Sequence, residues 1–547
     1  MVDCLDYKQT HRYTNLFLDY LEQNKTVKPF FNRFPHIKNF EFQINEKLKN
    51  FNPSNRKILV DVLNNQYGKI KTSKLTLNNI DLLQKNNTFT ITTGHQLNLF
   101  TGPIYTFYKI ISVINTCRDL KLSFPKYNFV PIFWLASEDH DFEEINHFNF
   151  KNKKLEWTSD KASGAVGELK ICSFSKVYNE LKTLLPQNDN SAYLLSLFED
   201  SYLKHANLSD ATLYLYNELF KDYGLVLLEP NHPKLKSCIK NYIKSEVFDQ
   251  KMHYNTSKAT DQLLENNYHK QVTPRKINLF YKTNNLRERI IYRNDKFYVN
   301  NTDISFNKSE IESEIENHPE CFSPNALFRP LYQEVLLPNL SYIGGAGELS
   351  YWLQLKSSFQ SYGVTFPMLQ MRNSALLFSK KTHKKLNKLE VGINNLFLPQ
   401  TELTNQHTKR ISKIKIDFSD CKQHLSKQFK SLYELAEKTD KTFLNAVAAQ
   451  EKKQHNGLDK LEKRLLKAQK RKLDDELKRL TKIQNELFPE GNLQERHSNF
   501  FEFYVSYGKE LIPKLIKNLN PFDFCFSLIE LETIPKTIEK EFFNNSN

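Results

Sequence analysis

Five short apolar runs punctuate the 547-residue chain: FTITT at 89–93, FVPIFWL at 129–135, GLVLL at 224–228, SYIG at 341–344 and TFPMLQ at 365–370. Runs this short and this continuously apolar predict strands covered on both faces, the pattern of a parallel sheet flanked by helices. The first run is followed by Gly94-His95-Gln96, by Gly102-Pro103, and then by Ile104, Phe107, Tyr108, Ile111 and Ile114 at three- and four-residue steps. That spacing predicts an amphipathic helix, with Pro103 at its first position, where the missing N–H would be unpaired anyway. The fold class expected is therefore α/β.

The second and third runs lie roughly 90 residues apart and the third and fourth roughly 110, too far for structureless loops in a compact domain. Both gaps read as insertions. INLFYKT, RIIYRND and KFYVNNT, between 276 and 305, alternate and break at Asn/Asp turns, which predicts a small antiparallel hairpin within the second insertion. From about 419 the texture becomes helical. Leu425, Phe429, Leu432 and Ala436 form one stripe, and Leu458, Leu461, Leu465, Ala468, Leu473, Leu477, Leu480 and Leu487 another. Asp440 suits the N-cap of the second helix. With no proline from 441 to 488, one helix of about 45 residues, roughly 70 Å, is allowed. Such a helix must pair within the chain, with a second copy, or both.

Composition narrows the classes. Hydrophobic residues make up 39% of the chain, and no apolar run is long enough to span a bilayer. The N-terminus MVDCLDYKQTHRY lacks a basic stretch followed by an apolar one, so a cytoplasmic protein without a membrane partner is expected. Seven cysteines, at 4, 117, 172, 238, 321, 421 and 525, are widely spaced and odd in number. They predict neither a disulfide framework nor a zinc site, and each reads as a reduced, buried, small apolar residue. The formal charge of +15 favours anionic partners, and residues 379 to 415 carry nine Lys/Arg against only Glu390 and Glu402.

Three clusters carry candidate chemistry. Gly94 and Gly102 permit close backbone approach, and the helix expected at Pro103 would point free N–H groups at the mouth of the sheet, where doubly wound folds bind ligands. His95 and Gln96 would donate there to phosphate or carboxylate, with Lys109 further along the helix. The second cluster, Glu138-Asp139-His140-Asp141-Phe142-Glu143-Glu144, follows the second strand; Asp139 and Asp141 suit an amine, a general base or Mg²⁺, while part of the cluster suits the first turn of a helix. His140 and His147 lack the partner spacing of a metal site, so no metal set is assigned. The third places Arg329 before Tyr342-Ile343-Gly344-Gly345-Ala346-Gly347-Glu348, repeating strand, glycines and helix. Arg329 can fork onto a carboxylate or phosphate, and Tyr351 can wall a pocket. Arg372, Lys380 and Lys381 add cations after the fifth strand.

TGHQLNLFTGPIYTFYK, FWLASEDHDFEEI, SPNALFRPLYQEVLLPNLSYIGGAGELSYW and LFPEGNLQER together resemble the BshC family, the cysteine-adding enzymes of bacillithiol biosynthesis, in consistent order to about residue 510. The resemblance implies a Rossmann-like core related to nucleotidyl transferases and class I aminoacyl-tRNA synthetases, with two connective insertions and a helical coiled-coil domain that forms a homodimer. The divisions expected are 1–146 (N-terminal helices and first half of the core), 147–222 (first insertion), 223–238 (core strand), 239–322 (second insertion), 323–380 (second half of the core), 381–495 (coiled coil) and 496–547 (C-terminal helical segment).

The reaction implied joins the carboxyl of L-cysteine to the amine of glucosaminyl malate, with ATP, and Mg²⁺ as a possible companion, activating the carboxylate. Gly94-His95-Gln96 would stand where the synthetases carry HIGH, and Arg372 with Lys380-Lys381 where they carry a mobile lysine loop. No second histidine follows His95 at three residues, and no KMSKS string occurs. On this reading His95, Asp139, Asp141 and Arg329 serve catalysis. Gly94, Gln96, Gly102, Lys109, His140, Gly344, Gly345, Gly347, Glu348, Tyr351, Arg372, Lys380 and Lys381 bind substrate or nucleotide. Two other readings stay open: a tRNA-binding synthetase-like protein, disfavoured because the basic runs lack interleaved stacking aromatics, and a coiled-coil scaffold without chemistry.

Overall fold

The computed structural model describes residues 2–151, 153–158, 163–171 and 173–532. Cys172 and the 533–547 end of the expected C-terminal segment lie outside the described residues.

All five apolar runs are strands of one parallel sheet. In spatial order these are Met368–Met371, Asn339–Gly344, Thr88–His95, Asn128–Leu135 and Val226–Leu228. Numbered along the chain the order is 5-4-1-2-3, the doubly wound arrangement of a Rossmann-like core. Thr88–His95 is buried up to its last residue. Its threonines are tolerated inside because each has a partner: Thr90 and Thr92 donate to Asn339 Oδ1, and Thr93 to the Ile343 carbonyl.

The helix after the first strand spans Tyr105–Ser123 and is buried on almost every side from Thr106 to Cys117. It lies between the sheet and the C-terminal helix Leu511–Asn518, whose neighbourhood Asn115 clamps by donating to the Ile516 and Leu519 carbonyls. Pro103 is not its first residue. It precedes the helix and forms an isolated bridge with Asn499, while the Ile104 N–H donates to Ser498.

The second insertion carries more than a hairpin. Ser305–Phe306, Lys296–Val299, Leu286–Arg293, Leu279–Thr283 and Phe322–Pro324 form a five-stranded sheet with antiparallel neighbours. The buried Glu246 carboxylate ties it down, accepting from the Asn278 and Met252 backbone and from Tyr362.

Ser419–Ala436 and Lys441–Lys472 make a helical hairpin, with Asp440 capping the second helix through the Thr442 and Phe443 N–H groups. The long stripe is not one helix. It breaks at Leu473 (φ −105°, ψ 17°), and Asp474–Leu487 begins anew with Asp474, Asp475 and Glu476 in its first turn, where the helix dipole favours carboxylates. Residues 496–532 include a strand, Phe526–Leu531, as well as helices.

The cysteines depart furthest from expectation. Cys4 and Cys525 form a disulfide with Cα atoms 5.8 Å apart. Among the unpaired cysteines of the described residues only Cys117 is buried; Cys238 and Cys321 are partly exposed and Cys421 is exposed. Spacing along the chain hid the pair because sheet topology, not sequence proximity, brings the two chain ends together. Among the described residues no helix is long and apolar enough to cross a membrane.

Candidate active site

Between Thr88–His95 and Asn339–Gly344 the sheet reverses its order, so the segments leaving these strands diverge and open a crevice at their carboxyl ends. A cavity of about 790 Å³ lies there. The first turn contributes Gly94, His95 and Gln96, the second Glu138, Asp139 and His140, and the fourth Gly345, Gly347, Glu348 and Tyr351; Arg329 and Arg372 complete the wall. Residues distant in sequence thus converge because three strands of one parallel sheet end at the same edge.

Lys109 joins two of these turns. Its Nζ donates to the Gly94 carbonyl at 2.9 Å and pairs with Glu348 Oε2 at 2.6 Å. Glu348 also accepts the Gly345 N–H at 2.8 Å and the Tyr342 hydroxyl at 2.9 Å. Burial opposes ionisation of this carboxyl, but Lys109 and the Gly345 N–H outweigh it and hold its pKa at about 2. Burial, reinforced by Lys109, pushes the His95 imidazole down to about 3. His95 is therefore neutral near pH 7, able to donate one N–H but not to supply a charge; its Nε2 lies 3.4 Å from the Tyr105 hydroxyl.

The fourth turn is shaped for a ligand. Gly344 is walled in, since a Cβ there would meet Leu349 and Tyr342 at 3.1 Å, whereas one on Gly345 would meet its neighbours only at ordinary contact distance and Gly347 faces open space. A Cβ on Gly345 would fall 3.5 Å from Arg372 Nε, which is buried and has no hydrogen-bond partner. The other arms of Arg372 are engaged: Nη1 and Nη2 pair with Glu495 at 3.1 and 2.8 Å. A buried guanidinium N–H left open beside a glycine cradle is a donor awaiting an acceptor. Arg329 is lightly held, donating to Gln333 at 3.2 Å and to the Tyr351 hydroxyl at 3.5 Å. These groups fit a phosphate or carboxylate.

The opposite wall is acidic. Gln96 Nε2 donates to Asp139 at 2.9 Å and to Glu144 at 2.7 Å. Burial would raise the Asp139 pKa, but hydrogen bonds from His140 and Gln96 and the charge of Arg287 hold it well below the usual carboxylate range. Arg287, from strand Leu286–Arg293 of the second insertion, was not singled out by sequence. Its Nε donates to Ser323 Oγ and its Nη2 to the Pro324 carbonyl, both at 2.9 Å, and Nη1 lies 2.5 Å from His140 Nδ1. Glu138 is consumed by the buried Lys236 at 2.7 and 2.9 Å. Glu144, the last residue of the second cluster, Arg496, the last of LFPEGNLQER, and Arg275 also line the cavity; nothing in its local sequence marks Arg275.

Besides the walled-in Gly344, four expected residues stand outside the cavity. Asp141 caps the short helix Phe142–Ile145 by accepting the Glu144 N–H. Gly102 (φ +61°) packs its backbone against Asn98, forming the turn rather than the cavity. Lys380 and Lys381 open the helix Lys380–Lys388 beyond strand Ser374–Ser379; six residues of strand carry them roughly 20 Å from Arg372. Most N–H groups at the start of the helix after Gly102 are also taken, since Ile104, Thr106 and Phe107 donate to the Ser498, Pro103 and Ile104 carbonyls. Among the described residues no group of three His, Cys, Asp or Glu is placed to hold a metal ion.

Comparison with known proteins accounts for nearly the whole chain. The N-terminal Rossmann-like domain of bacillithiol biosynthesis BshC matches residues 1–373, and the BshC C-terminal coiled-coil domain matches residues 375–531. A protein of Christiangramia forsetii named "Putative cysteine ligase BshC" is 51% identical over 530 residues, covering 96% of this chain and 98% of that one. The protein of the same name from Flavobacterium psychrophilum is 52% identical over 529 residues, covering 96% and 99%. One from Bacillus cereus is 28% identical over 479 residues, covering 85% and 88%.

Proposed function

The chain belongs to the BshC family of bacillithiol biosynthesis, and from that premise we propose that its cleft joins the carboxyl of L-cysteine to the amine of glucosaminyl malate, with ATP activating the carboxylate. The observation that carries this reading is the open Arg372 Nε beside Gly345, in a cavity that also holds the acidic Asp139 and Glu144. Amide formation from a free carboxylate and an amine needs both: donors for an anion whose charge grows, and an acceptor for the nucleophile's ammonium.

The cysteine carboxylate oxygen would attack a phosphorus of ATP, expelling ADP or pyrophosphate; the amine would then attack the activated acyl carbon, expelling phosphate or AMP with that oxygen, and the amine's surplus proton would pass to solvent. Arg372, Arg329 and the Gly347 backbone would hold the ATP phosphates, Gly345, whose own N–H is taken by Glu348, would leave them room, and neutral His95 would add one N–H. Asp139, ionised across the working range, would orient the amine, while Gln96 fixes Asp139 and Glu144 relative to each other. Asp139 and Glu144, both on the cavity wall, would be the carboxylates to hold a Mg²⁺ brought in with the nucleotide, where it would neutralise phosphate charge. The helical hairpin leaves Leu435 and Leu461 about half exposed (53% and 51%), which supports pairing with a second copy.

The test is isotopic. Cysteine labelled with oxygen-18 in its carboxylate hands one label to inorganic phosphate or to AMP, according to which phosphorus it meets. Amide product with label in neither would overturn activation by ATP.

A further inference from the structure

The two chain ends meet in a feature that the cleft chemistry does not use. Cys4 is exposed on the edge strand Val2–Leu5, and its disulfide partner Cys525 is half-buried just before strand Phe526–Leu531, 521 residues away in sequence. The edge strand pairs antiparallel with Phe526–Leu531, with Cys4 opposite Ser527 and Leu5 opposite Phe526. That central strand pairs parallel with Ser374–Ser379, placing Phe526 opposite Ser374. Ser374 Oγ accepts from Arg372 Nη1 at 3.1 Å and from the Tyr13 hydroxyl at 3.2 Å. The disulfide therefore clips a four-residue edge strand onto a three-stranded sheet whose opposite edge strand, reached through Phe526–Leu531, begins beside the cleft's Arg372.

We propose that Cys4–Cys525 is a thiol–disulfide exchange site for low-molecular-weight thiols, whose redox state sets how firmly the N-terminal strand backs the Arg372 wall. A thiolate RS⁻ attacks the exposed Cys4 sulfur. The protein S–S bond breaks, Cys525 leaves as thiolate, and a mixed disulfide R–S–S–Cys4 forms. A second RS⁻ attacks the R sulfur of that mixed disulfide, forming RSSR and releasing the Cys4 thiolate. The protein gains two electrons, and its two thiolates take protons from solvent; RSSR drives the reverse. Exposed disulfides are the labile ones in such exchange. A strand of four residues at a sheet edge has few ladder bonds, so without its clip it opens locally at small cost.

The test uses the full-length protein equilibrated anaerobically in cysteine/cystine buffers of graded ratio, alkylated and read by mass spectrometry, with hydrogen exchange followed in parallel. Cys4 and Cys525 should change together as one two-electron couple, while Cys421, exposed and unpaired, serves as the reference thiol. Amides of residues 2–13 and 374–379 should exchange at least tenfold faster in the reduced form. A Cys4→Ser/Cys525→Ser protein should show the fast rate in every buffer. Full alkylation of both cysteines in the most oxidising buffer would overturn the proposal, as would identical exchange of both segments in the two states. Neither readout requires ligase activity, so this proposal and the ligase reading can fail separately.

Discussion

The ammonium of Lys109 lies 2.6 Å from the Glu348 carboxylate, bridging the helix after the first strand and the helix after the fourth. Removing Lys109 leaves the partly buried Glu348 without its counter-charge, and removing Glu348 leaves the ammonium of Lys109 buried and unpaired. Lys109→Met should therefore destabilise the fold by about 3 kcal/mol. Lys109→Met/Glu348→Gln should cost less than the sum of the single changes, because the stranded charge is gone. Urea unfolding of the four proteins checks this cycle.

Glu348 and His95 should both make stability fall in acid, over different windows. Glu348 titrates near 2 in the folded protein against an ordinary 4.5. Its contribution is present above about pH 4.5 and is lost as pH falls towards 2, because only the unfolded chain takes up the proton in between. His95 titrates near 3 against an ordinary 6.5, so its contribution is present above about pH 6.5 and is lost as pH falls towards 3. His95→Asn should flatten stability against pH between 6.5 and 4.5, and Glu348→Gln should flatten it only below 4.5.

Arg287 reaches the cleft from the second insertion, and its loss should damage chemistry and anchoring together. Arg287→Met strands the Ser323 hydroxyl and Pro324 carbonyl and should cost about 2 kcal/mol. It also removes the charge beside Asp139 and should lower kcat/KM at least a hundredfold. Arg287→Lys should recover little, because one ammonium cannot meet Ser323, Pro324 and His140 with the geometry of a guanidinium. Steady-state kinetics with calorimetry on the three proteins decides the matter.

Gly345 separates folding from binding. A Cβ there would sit at ordinary contact distance from Arg372 Nε and Glu348 Oε2, in a backbone conformation (φ −77°, ψ 166°) open to alanine. Gly345→Ala should melt within about 1 °C of wild type while raising the KM for nucleotide tenfold or more by occupying ligand space. Gly347→Ala, in a helix, should gain about 0.5 kcal/mol and also bind nucleotide more weakly. Melting curves beside KM values for both variants give the answer.

The core strands were legible because a strand buried on both faces leaves a short, continuously apolar run, as FVPIFWL does, and the hairpin was legible through its Asn/Asp turns. Glycines at strand ends marked Gly94 and Gly345 for the same local reason. What escaped depends on tertiary geometry. Arg287 sits in RERIIYR, where alternation shows a strand but not which cavity its arginine enters. Asp141 and Asp139 look equivalent in sequence, yet one caps a helix and the other faces Gln96. Lys380 and Lys381 follow Arg372 closely along the chain, but an intervening strand carries them away. The pairing of Cys4 with Cys525 exists only once both chain ends have joined one sheet.

The most direct test of the cleft's role is product formation. Purified protein is incubated with ATP, labelled L-cysteine and glucosaminyl malate, and the condensed amide is followed by mass spectrometry for wild type and Gly345→Ala. Labelled amide should form with wild type and at least tenfold more slowly, at subsaturating ATP, with a Gly345→Ala protein of unchanged melting temperature. No amide from wild type, or an unchanged rate with Gly345→Ala, would contradict the assignment of this cleft.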